Sequence, residues 1–189
     1  MSIDRRLDAV RAVRALVPAA LRLAAVAAAL TLAGCSAPTL PCPAAKILRE
    51  AASVTSFAPG QPPGPQTVQY VGSINDAKLS CSYDPTTQEK LTVLLGVQIS
   101  AERPPASKVA AAELRYFVAI VNLRGEVLAK REFPLELAFP SGGTTVSKVE
   151  EIREFIPLKY PENGGNLQIW TGFQLNDAEL QYNRAHLGG

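Results

Sequence analysis

The sequence predicts a mainly β protein: an antiparallel β-sandwich, immunoglobulin-like in general shape, with one short N-terminal helix and a short C-terminal helical segment. Three observations point there. From Thr67 onward, apolar residues recur with period two in seven segments, near 68–74, 78–84, 91–101, 114–122, 126–139, 145–158 and 167–175. Compact turn sequences, Asn122-Leu123-Arg124-Gly125 and Glu162-Asn163-Gly164-Gly165, join some of them. No helical pattern separates the strands, as a parallel α/β sheet would require. The Cys…Trp…Cys pattern of immunoglobulin domains is absent, so the likeness is one of architecture. With 189 residues, 47% of them apolar, the chain suffices for one domain with a real core.

The first element is a helix over 43–53. Pro43 suits a first helical turn, Ala44, Ala45, Leu48, Ala51 and Ala52 favour helix, and Ile47, Leu48, Ala51 and Val54 supply an apolar face. A Pro/Gly-rich loop follows over 58–65. In the second strand Leu79, Cys81 and Tyr83 share the core face, and Lys78, Ser80 and Ser82 the other. Val93, Leu95, Val97 and Ile99 line one face of the third, opposite Thr92 and Gln98. Residues 114–121 are apolar on both faces, which marks a central strand. In the fifth, Val127, Ala129, Phe133, Leu135, Leu137 and Phe139 oppose Lys130, Glu132 and Glu136. The sixth is the least regular, because Val149, Ile152 and Phe155 recur at a helix-like spacing. In the seventh, Leu167, Ile169, Phe173 and Leu175 oppose Gln168 and Gln174. Asn176 then caps a short helix whose Leu180 docks on the sandwich.

The N-terminus carries a different signal. Five arginines and two aspartates precede residue 35, and residues 23–32 form an uncharged apolar run. Such a run is too short to span a bilayer, which takes about 20 residues, but suits the apolar region of an export signal. It ends in Leu32-Ala33-Gly34-Cys35, which resembles the lipobox of bacterial lipoproteins. The resemblance implies cleavage before Cys35, a diacylglyceryl group on its thiol, and anchoring of the mature chain to a membrane. Ser36 stands where an Asp commonly retains such proteins in the inner membrane, so the resemblance implies the inner leaflet of the outer membrane, facing the periplasm. The competing reading is an uncleaved anchor over 15–32, which would place Arg22 in mid-membrane at roughly 2.5–3.5 kcal/mol. Tyr116-Phe117-Val118-Ala119, Gly172-Phe173-Gln174-Leu175 and Tyr182-Asn183-Arg184 further resemble a group of uncharacterised bacterial envelope lipoproteins. That likeness implies envelope location and no chemistry.

The resulting domain plan is a leader over 1–34, a lipidated tether over 35–41, a helix and loop over 42–66, and the sandwich over 67–189. The leader holds five of the 19 basic and two of the 17 acidic residues, leaving 14 against 15. A near-neutral mature chain gives no electrostatic case for nucleic acid or for a polybasic membrane patch. If Cys35 carries lipid, Cys42 and Cys81 remain as an even pair in an oxidising compartment, which favours a structural disulfide. Only six residues separate Cys35 from Cys42, a reach of roughly 20 Å, so the domain would be held close to the membrane.

Candidate chemistry is sparse. His186, the only histidine, lies four positions from the end, where chains are usually mobile. The sequence offers no nucleophile elbow, zinc-protease helix, phosphate loop, metal set or cofactor motif. Pro140-Ser141-Gly142-Gly143 reads as a turn, Asp76 and Asp84 as turn residues, and Glu150, Glu151 and Glu154, interleaved with Lys148 and Arg153, as a solvated face. Trp170 lies on the polar face of its strand and admits two readings: a contact for a partner or a glycan, or a ring covered by Leu180 or Tyr182. Tyr182 and Arg184 divide likewise between partner contacts and tail-docking residues. The leading expectation is therefore a non-enzymatic envelope lipoprotein that binds an envelope protein partner. The alternative is a lipid- or glycan-binding lipoprotein, with a hydrolase third.

Overall fold

The computed structural model describes residues 40–159 and 161–186. The leader, the alternative anchor over 15–32, Cys35 and most of the tether lie outside them. The elements are β1 (Ala44–Ile47), β2 (Ser53–Phe57), β3 (Val68–Tyr83), β4 (Lys90–Glu102), β5 (Ala111–Asn122), β6 (Val127–Ala138), β7 (Thr145–Pro157), β8 (Leu167–Phe173) and α1 (Asp177–His186), with short 3₁₀ turns at Arg49–Ala51 and Gly164–Asn166. One sheet has the order β1-β8-β5-β6 and the other β2-β3-β4-β7. All pairings are antiparallel except β1 on β8. The two sheets face each other across one apolar interior, as the alternating pattern predicts.

β4 shows why. Leu91, Val93, Leu95, Val97 and Ile99 are at most 1% exposed, while Lys90, Gln98 and Glu102 between or beside them are exposed. From the opposite sheet, Tyr116, Val118, Ile169 and Phe173 fill the same space. β5 lies between β8 and β6 and buries residues on both faces, as expected of a central strand. The Tyr116 ring stacks on Phe133 at 5.2 Å.

Three expectations are corrected. The helix over 43–53 does not form. Its residues make β1, a 3₁₀ turn and β2, which pass from the edge of one sheet to the edge of the other, so the sandwich begins at Ala44 and not at 67. The helix-like spacing is instead divided between two sites. Ile47 and Val54 pack on the interior, whereas Leu48 and Ala51 join a separate cluster outside it. A lone helix of this length is marginal in water, and two open sheet edges supply backbone partners it would lack. Second, segments 68–74 and 78–84 are one strand, β3, interrupted at Asn75 by a bulge. Tyr70, Gly72 and Ile74 face inward before it, and Ala77, Leu79, Cys81 and Tyr83 after it. One extra residue inverts the phase of the alternation, which reads in sequence as a break. Asp76 is thus a strand residue, ion-paired with Lys78 at 3.1 Å. Asp84 is a turn residue, as read: its carboxylate accepts from the backbone of Thr86 and Thr87, which lowers its pKa. Third, Glu150 and Glu154 do not share a solvated face with Glu151. They lie half-buried at the β6–β7 opening, paired with Lys148 at 2.7 Å and Arg131 at 2.9 Å.

The irregular sixth segment is a regular strand, β7. A spacing of three puts Ile152 inward, and Val149 and Phe155 on the outer face, where both are exposed.

Cys42 and Cys81 are joined by a disulfide with Cα atoms 5.7 Å apart, tying the chain two residues before β1 to the far end of β3. Beside it the Tyr83 hydroxyl donates to the Pro41 carbonyl at 2.5 Å and accepts from the Gly164 amide at 2.7 Å. A Cβ on Gly164 would lie 2.6 Å from the Pro41 oxygen, so only glycine fits there. Replacing both cysteines by serine is expected to lower unfolding free energy by about 4 kcal/mol or less, measured by urea titration. Burial, then the Glu150 carboxylate, raises the Tyr116 phenol above its ordinary pKa of 10.0. The unfolded chain releases this proton near pH 10 while the folded chain keeps it, so the contribution is complete below that pH and declines above it. Its slope is at most about 1.4 kcal/mol per pH unit. Tyr116→Phe is expected to flatten the fall in stability between pH 10 and 12, read from denaturation midpoints.

Candidate interaction surface

Trp170 sits on the outer face of the β1-β8-β5-β6 sheet. Strand register sets Lys46, Trp170, Ala119 and Lys130 in one row across it. In the next row Gly172 stands opposite Phe117. A Cβ at Gly172 would approach the Phe117 ring to 3.1 Å and Ala51 to 2.8 Å, so the glycine leaves room for both. Phe117, Ala119 and Val121 are buried although they face outward, because Leu48, Ala51, Trp170 and Leu175 lie against them. The indole is half-buried, and its Nε1 donates to Gln168 Oε1 at 2.8 Å. The Lys130 ammonium lies 4.8 Å from the centre of the Phe117 ring and bonds Gln174 Oε1 at 2.6 Å. Trp170 is therefore one wall of a small apolar cluster with its donor satisfied locally, not an open stacking platform. Trp170 packs against the cluster of Ala51, Phe117, Ala119 and Val121, which includes neither Leu180 nor Tyr182.

Tyr182 and Arg184 hold the tail. The Tyr182 ring meets Phe57 edge-on at 5.1 Å and stacks on His186 at 4.0 Å. Arg184 pairs with Glu50 at 3.0 Å. Between them, buried Asn183 donates to the carbonyls of Glu50 at 3.0 Å and Ser53 at 2.8 Å. The helix start is closed reciprocally: Asn176 Oδ1 accepts from the Glu179 amide, and Glu179 accepts from the Asn176 amide. This α1 junction fixes the 49–53 turn, and through it the cover on Phe117. Sequence reading found Tyr182 and Arg184 but not the larger role of Asn183, whose signal was only a polar residue between two others.

The two ends of the sandwich differ. At one, β3, β5 and β7 finish and β4, β6 and β8 begin, and the chain enters through Leu40. The other carries a cleft of about 910 Å³, lined by Tyr70, Glu113, Arg115, Glu136, Gln174 and Glu179 among others. There Glu113 and Glu136 stand directly opposite in the β5–β6 ladder, where like charges repel. Arg103 braces this end by donating to the carbonyls of Gly143, at 2.9 Å, and Val109. Pro140-Ser141-Gly142-Gly143 is a turn, as read, closed by the Gly143 amide on the Pro140 carbonyl and with Gly142 at φ +72°. Among the described residues, no group of three or more His, Cys, Asp and Glu could hold a metal ion, and no helix is long and apolar enough to cross a membrane.

The entry end holds what sequence reading missed. Leu123, Val127 and Leu128 are 60%, 57% and 57% exposed, and Leu40 is 38% exposed. Val127 and Ala129 were expected in the core, but the first half of β6 is exposed along its length. The available signal was the unbroken apolar run from Val127 to Ala129, which departs from strict alternation.

Compared with models of known protein families, with curated proteins and with solved structures, the chain matches none.

Asn183→Ala is expected to remove the side-chain donor of two part-buried carbonyls, at a cost of about 1–3 kcal/mol. Hydrogen exchange is expected to rise first in α1 and the 49–53 turn, with β4 still protected.

Proposed function

We propose that this chain is a lipid-anchored protein of the bacterial cell envelope, held through Cys35 to the inner leaflet of the outer membrane, and that its sandwich is a non-enzymatic interaction or assembly module. Leu32-Ala33-Gly34-Cys35 supports the anchor. The Cys42–Cys81 disulfide supports an oxidising compartment. One observation carries the interaction role: a cleft of about 910 Å³ opens at the end opposite the entry of the chain. A domain tethered at the entry end offers that cleft to the periplasm, where a protein partner can reach it. Arg115, Gln174 and the facing carboxylates Glu113 and Glu136 give the cleft a polar, oriented lining.

Small-ligand binding is the second reading, favoured by the cleft's volume, which lies within the usual range for such sites, about 300–1,000 Å³. A glycan suits the mixed polar lining better than a lipid does.

Mass spectrometry of protein purified from membranes is expected to find acyl mass on an N-terminal Cys35 peptide. Cross-linking in intact cells is expected to retain a specific protein, and Glu136→Arg is expected to reduce its yield several-fold. Recovery that is non-specific, or indifferent to Glu136→Arg, would count against the interaction role. Heat released on titration with envelope glycans, and lost in the same variant, would favour the second reading.

A further inference from the structure

The β5–β6 turn is a rigid presenter of apolar side chains. Asn122 Oδ1 accepts from the amides of Arg124 at 2.9 Å and Glu126 at 3.0 Å. Glu126 accepts from the Asn122 amide group at 2.6 Å and the Arg124 guanidinium at 2.9 Å. Gly125 takes the left-handed conformation, φ +84°, that closes the turn. The polar side chains of the turn bond its backbone and one another, and Leu123 is left exposed. Leu128 is the bulged residue of β6, opposite Ile120 and Val121, and is exposed beside it. Both leucines line a cleft of about 660 Å³ against Pro161 and Leu167. A neighbouring cleft, sharing Pro161, Glu162 and Asn163, is lined by Leu40.

We infer that this end of the sandwich rests on a bilayer, with Leu123, Val127, Leu128 and Leu40 seated at the boundary between head groups and acyl chains. The inference depends on the anchor reading of Cys35. Four residues separate Cys35 from Leu40, five Cα–Cα steps with a reach of at most about 18 Å, so an acyl anchor there brings this end to the membrane. Charge points the same way. Lys90, Arg124 and Lys159 are set against Asp84, Glu89, Glu126 and Glu162, so this end has little net charge and suits zwitterionic phospholipid without help from anionic lipid. The acyl chains hold the protein and the apolar tip fixes its tilt, which aims the opposite cleft away from the membrane.

The test uses full acylated protein in phosphatidylcholine vesicles. Leu123→Trp in a Trp170→Phe background leaves one reporter at the tip, and Ser141→Trp in that background reports the opposite end. Leu128→Trp repeats the tip measurement should Leu123→Trp misfold. With phosphatidylcholine brominated along its acyl chains, tip emission is expected to fall by half or more and the Ser141→Trp emission to stay constant. The quenching is expected to be unchanged by 0.5 M salt. Acylated protein whose tip emission is no more quenched than that of Ser141→Trp overturns the inference alone. A blue shift that follows protein concentration, without bromine quenching, assigns the tip to a second copy and also overturns it. Absence of acyl mass on Cys35 removes the anchor reading, and this inference with it.

Discussion

Cys42 and Cys81 join the edge of one sheet to the third strand of the structure in the other, and the disposition of the remaining chain follows from that tie. β1 is only four residues long, and its single neighbour is β8. Such a strand gains little from its own pairing. The disulfide, the Tyr83 hydroxyl between Pro41 and Gly164, and the tight seat of Gly164 together hold its start. With β1 fixed, the chain turns at 49–51 and crosses to the second sheet as β2. The crossing closes one side of the sandwich.

The same crossing makes the outer face around Trp170 what it is. Phe117, Ala119 and Val121 occupy positions that a two-layer sandwich would leave wet. Leu48 and Ala51 reach them only because β1 ends at Ile47 and the chain bends across the sheet. Asn183 then binds the carbonyls of that bend from α1. Disulfide, crossing strand and terminal helix act in series. Each satisfies backbone or apolar groups that the previous one leaves open.

The two ends of the strands differ. The entry end carries the exposed leucines, held out by a turn whose polar groups satisfy one another. The far end carries the wide cleft, with paired loops braced by Arg103. Hydrophobic groups left in water at such a turn contribute little to folding, and the far cleft mixes apolar Tyr70, Leu114 and Leu135 with charged Glu113, Arg115 and Glu136.

Sequence alone determined the two-layer β architecture, the central place of β5, the inward faces of β4 and β8, the Asn176 cap and the pairing of Cys42 with Cys81. These rest on local chemistry: period-two alternation, a capping side chain, and an even number of thiols left by one assignment. Tertiary structure decided the rest. Residues 43–53 have helical composition, yet two sheet edges needed strands. Asn75 inverts the alternation of β3, and no local pattern distinguishes a bulge from a turn. Val127 and Ala129 alternate like core residues, but the bulge at Leu128 turns Val127 to the outer face opposite Val121, and both lie exposed at the start of an edge strand. The surroundings of Trp170 include Ala51, over a hundred residues earlier in the chain. Local preference is set by neighbours in sequence, whereas burial is set by whatever arrives from elsewhere, and only the folded chain specifies that.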